Sequence, residues 1–282
     1  MSQPRAHRVS SSDGVHVVAY DYGGDGRPVI FAHATGFHGR YWDPICSKLG
    51  PAFRCITVDL RGHGDSEVPV GLDMRWTGMA NDITAVIDAF ELPSILAVGH
   101  SMGGCSIVLA EQARPGLIER AWVFEPIIMP PELTDQVPVE SSVMVQAALR
   151  RRETFDSRVQ AYERYRSRPP FSTVDPAALS AYVDHGFDDL DDGSVILKCR
   201  RETEAAVFSN SRTDAFANLG SVETPTVVGG SGDGGHPAGL APVVAERLVN
   251  GTFEYQSDLS HFAPMESPDR ISVAISNAFD VS

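Results

Sequence analysis

The sequence has no run approaching the roughly 20 apolar residues a helix needs to cross a bilayer, so a membrane span is not expected. Met1 to Gly14 is polar and lacks the apolar centre of a secretory signal, which makes a cytoplasmic location the expectation. Basic residues are scarce. The chain has 23 Lys plus Arg against 37 Asp plus Glu, a formal net charge of −14. That balance argues against a nucleic-acid partner, whose phosphates would be repelled, and against adhesion to anionic membranes. Cysteine is sparse too. Cys46, Cys55, Cys105 and Cys199 are widely spaced and form no Cys-x-x-Cys pair, so neither zinc nor a disulfide framework is suggested. Reduced thiols are the simplest expectation.

What is present is ordinary for a globular domain. With 282 residues, 43% hydrophobic and 21% charged, the chain can bury a substantial core without disulfides or metals. No internal repeat or long low-complexity segment is visible.

The first half alternates strand-like and helix-like segments. Val15–Tyr22, Val29–Ala32, Arg54–Val58, Ile95–Val98 and Ala121–Phe124 are short, with many β-branched or aromatic residues. Continuous apolar runs of this length fit strands covered on both faces of a parallel sheet. Tyr41–Leu49, Met74–Phe90 and Met102–Ala113 read as helices between them. In the second of these, Met79, Ile83, Val86, Ile87 and Phe90 recur at helical spacing, and Gly50-Pro51 and Glu91-Leu92-Pro93 supply stops. From Pro126 to about Ser211 the pattern becomes helix-rich and charged. Alternation resumes with Thr226–Val228, Pro237–Leu248, Thr252–Tyr255 and Pro268–Phe279. An α/β core over residues 1–125 and 212–282, interrupted by a helical cap over 126–211, explains this better than two tandem domains.

Gly99-His100-Ser101-Met102-Gly103 matches G-x-S-x-G and sits between a strand and a helix. Such a turn forces the serine into a strained conformation above the sheet, and small neighbours let backbone approach closely. His100 is read as structural, pointing away from Ser101. A serine hydroxyl is a weak nucleophile at neutral pH and needs a general base in reach. His261 follows the last strand and precedes the final helix, which makes it the candidate base. The third member should be a carboxylate ending a strand between nucleophile and base. Gly229-Gly230-Ser231-Gly232-Asp233 ends one such strand, and Asp233 is favoured to orient the imidazole. Glu125, which ends Ala121–Phe124, is the competitor.

Acyl transfer also needs two backbone N–H groups aimed at the developing oxyanion. Met102 should supply one, and Thr35, in the turn His33-Ala34-Thr35-Gly36-Phe37, the other. Asp59-Leu60-Arg61-Gly62-His63-Gly64-Asp65-Ser66 has neither metal-ligand spacing nor a phosphate loop and reads as a hydrogen-bonded turn.

Taken together, these stretches resemble the α/β-hydrolase superfamily in order and approximate spacing. The resemblance implies an α/β fold with a mostly parallel eight-stranded sheet, helices on both faces and an inserted helical cap. It also implies hydrolysis without cofactor or metal, with Ser101 as nucleophile, His261 as base and Asp233 as its orienter. Many members have His-Gly where this chain has His33-Ala34. Relatives that dehalogenate haloalkanes or open epoxides carry Asp at the turn where Ser101 stands.

The expected substrate is a small to medium, largely apolar ester. Amide, lactone and carbon–carbon bond cleavage use the same triad, and fold does not choose among them. A low-turnover small-molecule receptor and a cofactor-independent oxygenase, which relies on a His/Asp pair, are readings of other classes. The cap aromatics Phe155, Tyr162, Tyr165, Phe171, Tyr182, Phe187 and Phe208 divide between cavity lining and packing, with more than half expected to pack. Arginines 150–152 are read as a solvated face rather than as a steering device for an acidic substrate. Oligomeric state is not legible.

Overall fold

The computed structural model of the chain describes residues 3–134, 142–232 and 237–279. Its main sheet holds eight strands: β1 (Arg5–Ser10), β2 (His16–Asp21), β3 (Arg27–Ala32), β4 (Phe53–Asp59), β5 (Ile95–His100), β6 (Ile118–Phe124), β10 (Thr226–Ser231) and β11 (Gly251–Gln256). They lie in the order β1-β2-β4-β3-β5-β6-β10-β11. β2 pairs antiparallel with both β1 and β4, and every pairing from β4 to β11 is parallel.

Alternation along the strands decides which helices cover which face. Ile30, Ala32, Ile56, Val58, Ala97, Ala121 and Val123 pack in one cluster with α2 (Trp76–Ala89), α3 (Met102–Ala113) and α9 (Ala241–Arg247). Their neighbours Val29, Phe31, Leu96, Val98, Trp122 and Phe124 pack on the other face with α1 (Asp43–Leu49), the short α10 (Ala263–Glu266) and α11 (Pro268–Phe279). A strand with apolar residues on both sides belongs in the middle of such a sandwich. β1 has one buried residue, Val9, and its remaining positions are polar or exposed, as an edge strand allows.

The segment between β6 and β10 is not purely helical. It carries α4 (Pro131–Thr134), α5 (Val143–Leu149), α6 (Arg158–Arg166), α7 (Pro176–His185) and α8 (Arg201–Ser209). It also carries a small antiparallel sheet of β7 (Thr154–Phe155), β8 (Phe187–Asp189) and β9 (Val195–Leu197), ordered β7-β9-β8. These strands are two or three residues long and give no periodicity to read. No helix among the described residues is long and apolar enough to cross a membrane. All four cysteines are buried and free.

The turn after β4 is built on a buried carboxylate. Asp59 accepts from the backbone N–H of Gly39 (2.5 Å) and Asp65 (2.7 Å) and from the Tyr20 hydroxyl (3.1 Å). Two residues on, the buried Arg61 pairs with the buried Asp82 at 2.9 Å. Removing either partner of such a pair strands a charge, a loss of about 3–5 kcal/mol.

The β5–α3 connection depends on two glycines. A β-carbon at Gly99 would lie 2.6 Å from the Gly104 Cα, and one at Gly103 would lie 2.3 Å from the Ala32 carbonyl oxygen. Helix and strands touch backbone to backbone there. Gly103→Ala is therefore expected to cost about 3 kcal/mol by overpacking. Gly220→Ala, whose β-carbon meets nothing within 4 Å, should stay within about 0.5 kcal/mol of wild type. Denaturant titration of both variants checks this; equal midpoints would remove the close-packing argument.

Candidate active site

Ser101 lies between β5 and α3 with φ 57° and ψ −117°, a left-handed conformation that strains a residue bearing a β-carbon by about 1–3 kcal/mol. Backbone bonds hold it. Its N–H donates to the Phe124 carbonyl (2.9 Å), and its carbonyl accepts from Cys105 (3.1 Å) and Ile127 (3.2 Å). The turn is thereby fixed to the exit of β6, the neighbouring strand.

The next residue out of β6 is Glu125, also at positive φ (42°) and fully buried. Its N–H donates to the Gly229 carbonyl at 2.9 Å. Its carboxylate accepts from the Ser231 N–H at 2.6 Å through Oε1 and from His261 Nδ1 at 2.6 Å through Oε2. Burial pushes the Glu125 carboxyl up, but hydrogen bonds from His261 and Ser231, and the nearby imidazole charge, outweigh it and hold the group below its ordinary value. An ionised Glu125 accepting at this distance keeps the proton on Nδ1, leaving Nε2 of the neutral ring as an acceptor.

Asp233, which the sequence favours as orienter, lies outside the described residues. The imidazole Nδ1 is occupied by Glu125, the competing carboxylate. Chain order cannot separate the two, since both fall between Ser101 and His261. β6 lies between β5 and β10 in the sheet, so the residue leaving β6 emerges beside the serine turn.

The structure places His100 at the cavity. It accepts from the Tyr41 hydroxyl at Nδ1 (3.1 Å) and donates from Nε2 to the His261 carbonyl (2.8 Å). Burial, and then the neighbouring His261, hold its pKa well below the usual histidine value. A neutral His100 thus anchors the backbone that carries His261, a role with no sequence signal because it depends on a contact across 161 residues.

The two oxyanion candidates meet. The Thr35 hydroxyl contacts the Met102 sulfur at 3.4 Å, and neither the Thr35 nor the Met102 backbone N–H bonds to another described residue. The turn before them is set by His33, which donates from Nδ1 to the Ala34 carbonyl (2.8 Å) and accepts the Leu60 N–H at Nε2 (3.0 Å).

Ser101, His261, Ala34 and Thr35 face a cavity of about 660 Å³, whereas the Met102 side chain is fully buried beneath it. Phe37, Trp76, Ile127 and Phe262 give it apolar walls. Of the aromatics between β6 and β10, Phe171, Tyr182 and Phe208 line it, while Phe155, Phe187, Tyr162 and Tyr165 belong to the packed cluster below. Among the described residues the Ser101 hydroxyl has no hydrogen bond, either to His261 or elsewhere. Nor do three or more His, Cys, Asp or Glu side chains gather there to hold a metal ion.

Arginines 150–152 divide by position. Arg150 and Arg152 are exposed, as a solvated face requires. Arg151 instead lines the cavity and pairs with Glu204 at 2.7 Å.

Known proteins share this architecture. The model of the alpha/beta hydrolase family matches residues 29–274. A non-heme chloroperoxidase of Streptomyces lividans is 30% identical over 267 residues, covering 90% of this chain and 92% of its own. Among solved structures, E-2-(acetamidomethylene)succinate hydrolase superimposes with a TM-score of 0.81 at 20% identity, over 99% of this chain and 100% of that one. A thermophilic esterase from Thermogutta terrifontis gives 0.70 at 19%, over 97% of both. A family match across nearly the whole parallel sheet, with the serine turn at the end of its central strand, makes this chain a member of the α/β-hydrolase family.

Proposed function

We propose that the protein is a serine hydrolase that cleaves an ester or related acyl bond of a small to medium, largely apolar substrate through an acyl-enzyme. The observation that carries this is the 2.6 Å bond between Glu125 and His261 at a cavity that also exposes the strained Ser101 turn. In this reading residues 126–211 form a cap that closes the cavity over the end of the sheet.

The Ser101 hydroxyl attacks the substrate carbonyl while His261 Nε2 takes its proton. Catalytic hydrogen bonds of this kind are often open in an empty site and tighten only with substrate bound. The carbonyl oxygen gains negative charge and sits against the Thr35 and Met102 N–H groups, each typically worth roughly 3 kcal/mol. Collapse of the tetrahedral intermediate expels the alcohol, which takes the proton from the imidazolium. Water then attacks the acyl-enzyme by the same route, regenerating Ser101 and releasing the acid. Glu125 holds the tautomer and stabilises the imidazolium throughout.

A fluorophosphonate probe is expected to label Ser101. Ser101→Ala should abolish labelling and lower turnover of 4-nitrophenyl acetate by about 10⁴-fold or more. Absence of both labelling and turnover in the wild-type protein sinks the reading.

Glu125→Gln is expected to reduce kcat by about 10⁴-fold through loss of the charged orienter, whereas Asp233→Asn should leave kcat nearly unchanged. The reverse result returns the role to Asp233. The same pair sets a pH dependence of stability. Because the folded Glu125 carboxyl lies below its ordinary value of 4.5, the unfolded chain binds the proton first as pH falls. Its stabilisation is therefore present above about pH 4.5 and lost as pH falls through the folded value. The stability gap between wild type and Glu125→Gln should narrow below about pH 4.5, read from unfolding midpoints between pH 3 and 7; a constant gap contradicts it.

The relative named a non-heme chloroperoxidase favours a second reading. A carboxylic acid would acylate Ser101 with loss of water, and hydrogen peroxide in place of water would release the acyl group as a peroxycarboxylic acid. That acid oxidises bromide to hypobromite and returns the carboxylic acid. Bromination of monochlorodimedone should then require acetate, peroxide and bromide together and vanish in Ser101→Ala. Bromination without any carboxylic acid rules this route out.

A further inference from the structure

Among the described residues, the cavity lining has one charged feature apart from its proposed catalytic groups, and its geometry limits what can bind. Arg151, just beyond α5, and Glu204, in α8, both line the cavity and form an ion pair at 2.7 Å. Arg151 also donates to the hydroxyls of Tyr182 and Tyr165. Those contacts use three of the five N–H groups of a guanidinium. Among the described residues, Nε and one Nη1 hydrogen have no acceptor, and Glu204 Oε1 has no donor.

The pair is pressed against the turn that carries Thr35. A β-carbon at Gly36 would lie 2.6 Å from Glu204 Oε1 and 3.0 Å from Arg151 Nη1. The Tyr182 hydroxyl reaches the Gly36 carbonyl at 3.4 Å. Glycine is needed at that position both for its φ of +78° and for this contact. A largely buried ion pair stabilises a fold little better than apolar residues of the same volume, and here it shares the cavity lining with Trp76, Phe171 and Phe208. Its unused donors and acceptor belong to two residues that line the cavity.

From this, and resting on the reading of the cavity as the substrate site, we infer that Arg151 and Glu204 form a recognition subsite for an uncharged group with a hydrogen-bond acceptor and donor side by side, a carboxamide being the simplest. The guanidinium N–H groups donate to the carbonyl oxygen, and Glu204 Oε1 accepts the amide N–H. A carboxylate in the same place meets Arg151 favourably but sets a second anion against Glu204 Oε1, with no proton between them. The two side chains together carry no net charge, so the subsite selects dipoles over ions.

Calorimetric titration with 4-phenylbutanamide, 4-phenylbutanoate, 5-phenyl-2-pentanone and 4-phenylbutylamine tests this without requiring turnover. Wild-type protein should bind the amide about 10-fold or more tighter than the acid, the ketone or the amine, since a site built for a donor–acceptor pair penalises loss of either partner. Glu204→Gln leaves Arg151 uncompensated and should make the acid the tightest ligand. Arg151→Met leaves Glu204 uncompensated and should favour the amine. Unfolding midpoints show whether each variant is folded.

An unchanged order of affinities in all folded proteins overturns the inference. So does wild-type protein that binds the acid as tightly as the amide, or none of the four, and that comparison needs no variant. Fluorophosphonate labelling that succeeds while the amide preference is absent removes the subsite and leaves the serine hydrolase standing. An amide preference in a protein that is never labelled does the reverse.

Discussion

A carboxylate taken out of water must find partners, and Glu125 finds them from two directions. It sits fully buried where β6 leaves the sheet, and its oxygens are taken by a backbone N–H just inside the end of β10 and by an imidazole from the loop after β11. An unpaired ion at this depth would cost several kcal/mol, so these groups are fixed relative to one another by the penalty for separating them. The register of the sheet follows the same demand. A one-residue slip of β6 would turn Glu125 to the opposite face and put Phe124 in its place.

Around that centre the local strain becomes intelligible. Ser101 and Glu125 both adopt positive φ, and they are linked through consecutive backbone positions: Ser101 bonds to the Phe124 carbonyl and Glu125 to the Gly229 carbonyl. The ends of three adjacent parallel strands are thus cross-tied, and strained conformations persist because the surrounding hydrogen bonds over-determine them. Flanking glycines supply the remaining condition by letting α3 pack directly on the backbone of β3 and β5. His100 completes the arrangement by holding the carbonyl of His261 from the serine side.

The segment between β6 and β10 contributes differently. It adds no strand to the main sheet, yet it provides Phe171, Tyr182 and Phe208 to the cavity and brings Arg151 and Glu204 against Gly36. The strand ends that carry Ser101 and Glu125 and the Arg151–Glu204 pair come together near the turn carrying Thr35. In the proposed function the reacting groups rest on strand ends, while the groups that would contact the remainder of a substrate come from elements whose sequence has little periodic signal. That division fits a family in which one fold supports many substrates.

Much of this was legible before any coordinates. Seven of the eight strands in the main sheet announce themselves as apolar runs, and α3 and α11 begin and end where their sequence says, because periodicity and stop signals are local properties. β1 escaped notice because an edge strand with one buried residue has no apolar alternation to detect. β7, β8 and β9 are too short for any period. Ser101 was marked by its glycines and by its place between strand and helix, and His261 by following the last strand. The sequence therefore determined the fold class and three of the residues that face the cavity, Ser101, His261 and Thr35. That Glu125 accepts from the imidazole, that His100 supports it and that Arg151 lines the cavity rather than a solvated face are seen only in the tertiary structure. Each depends on a distance between segments separated by 53 to 161 residues, and no local pattern encodes such a distance.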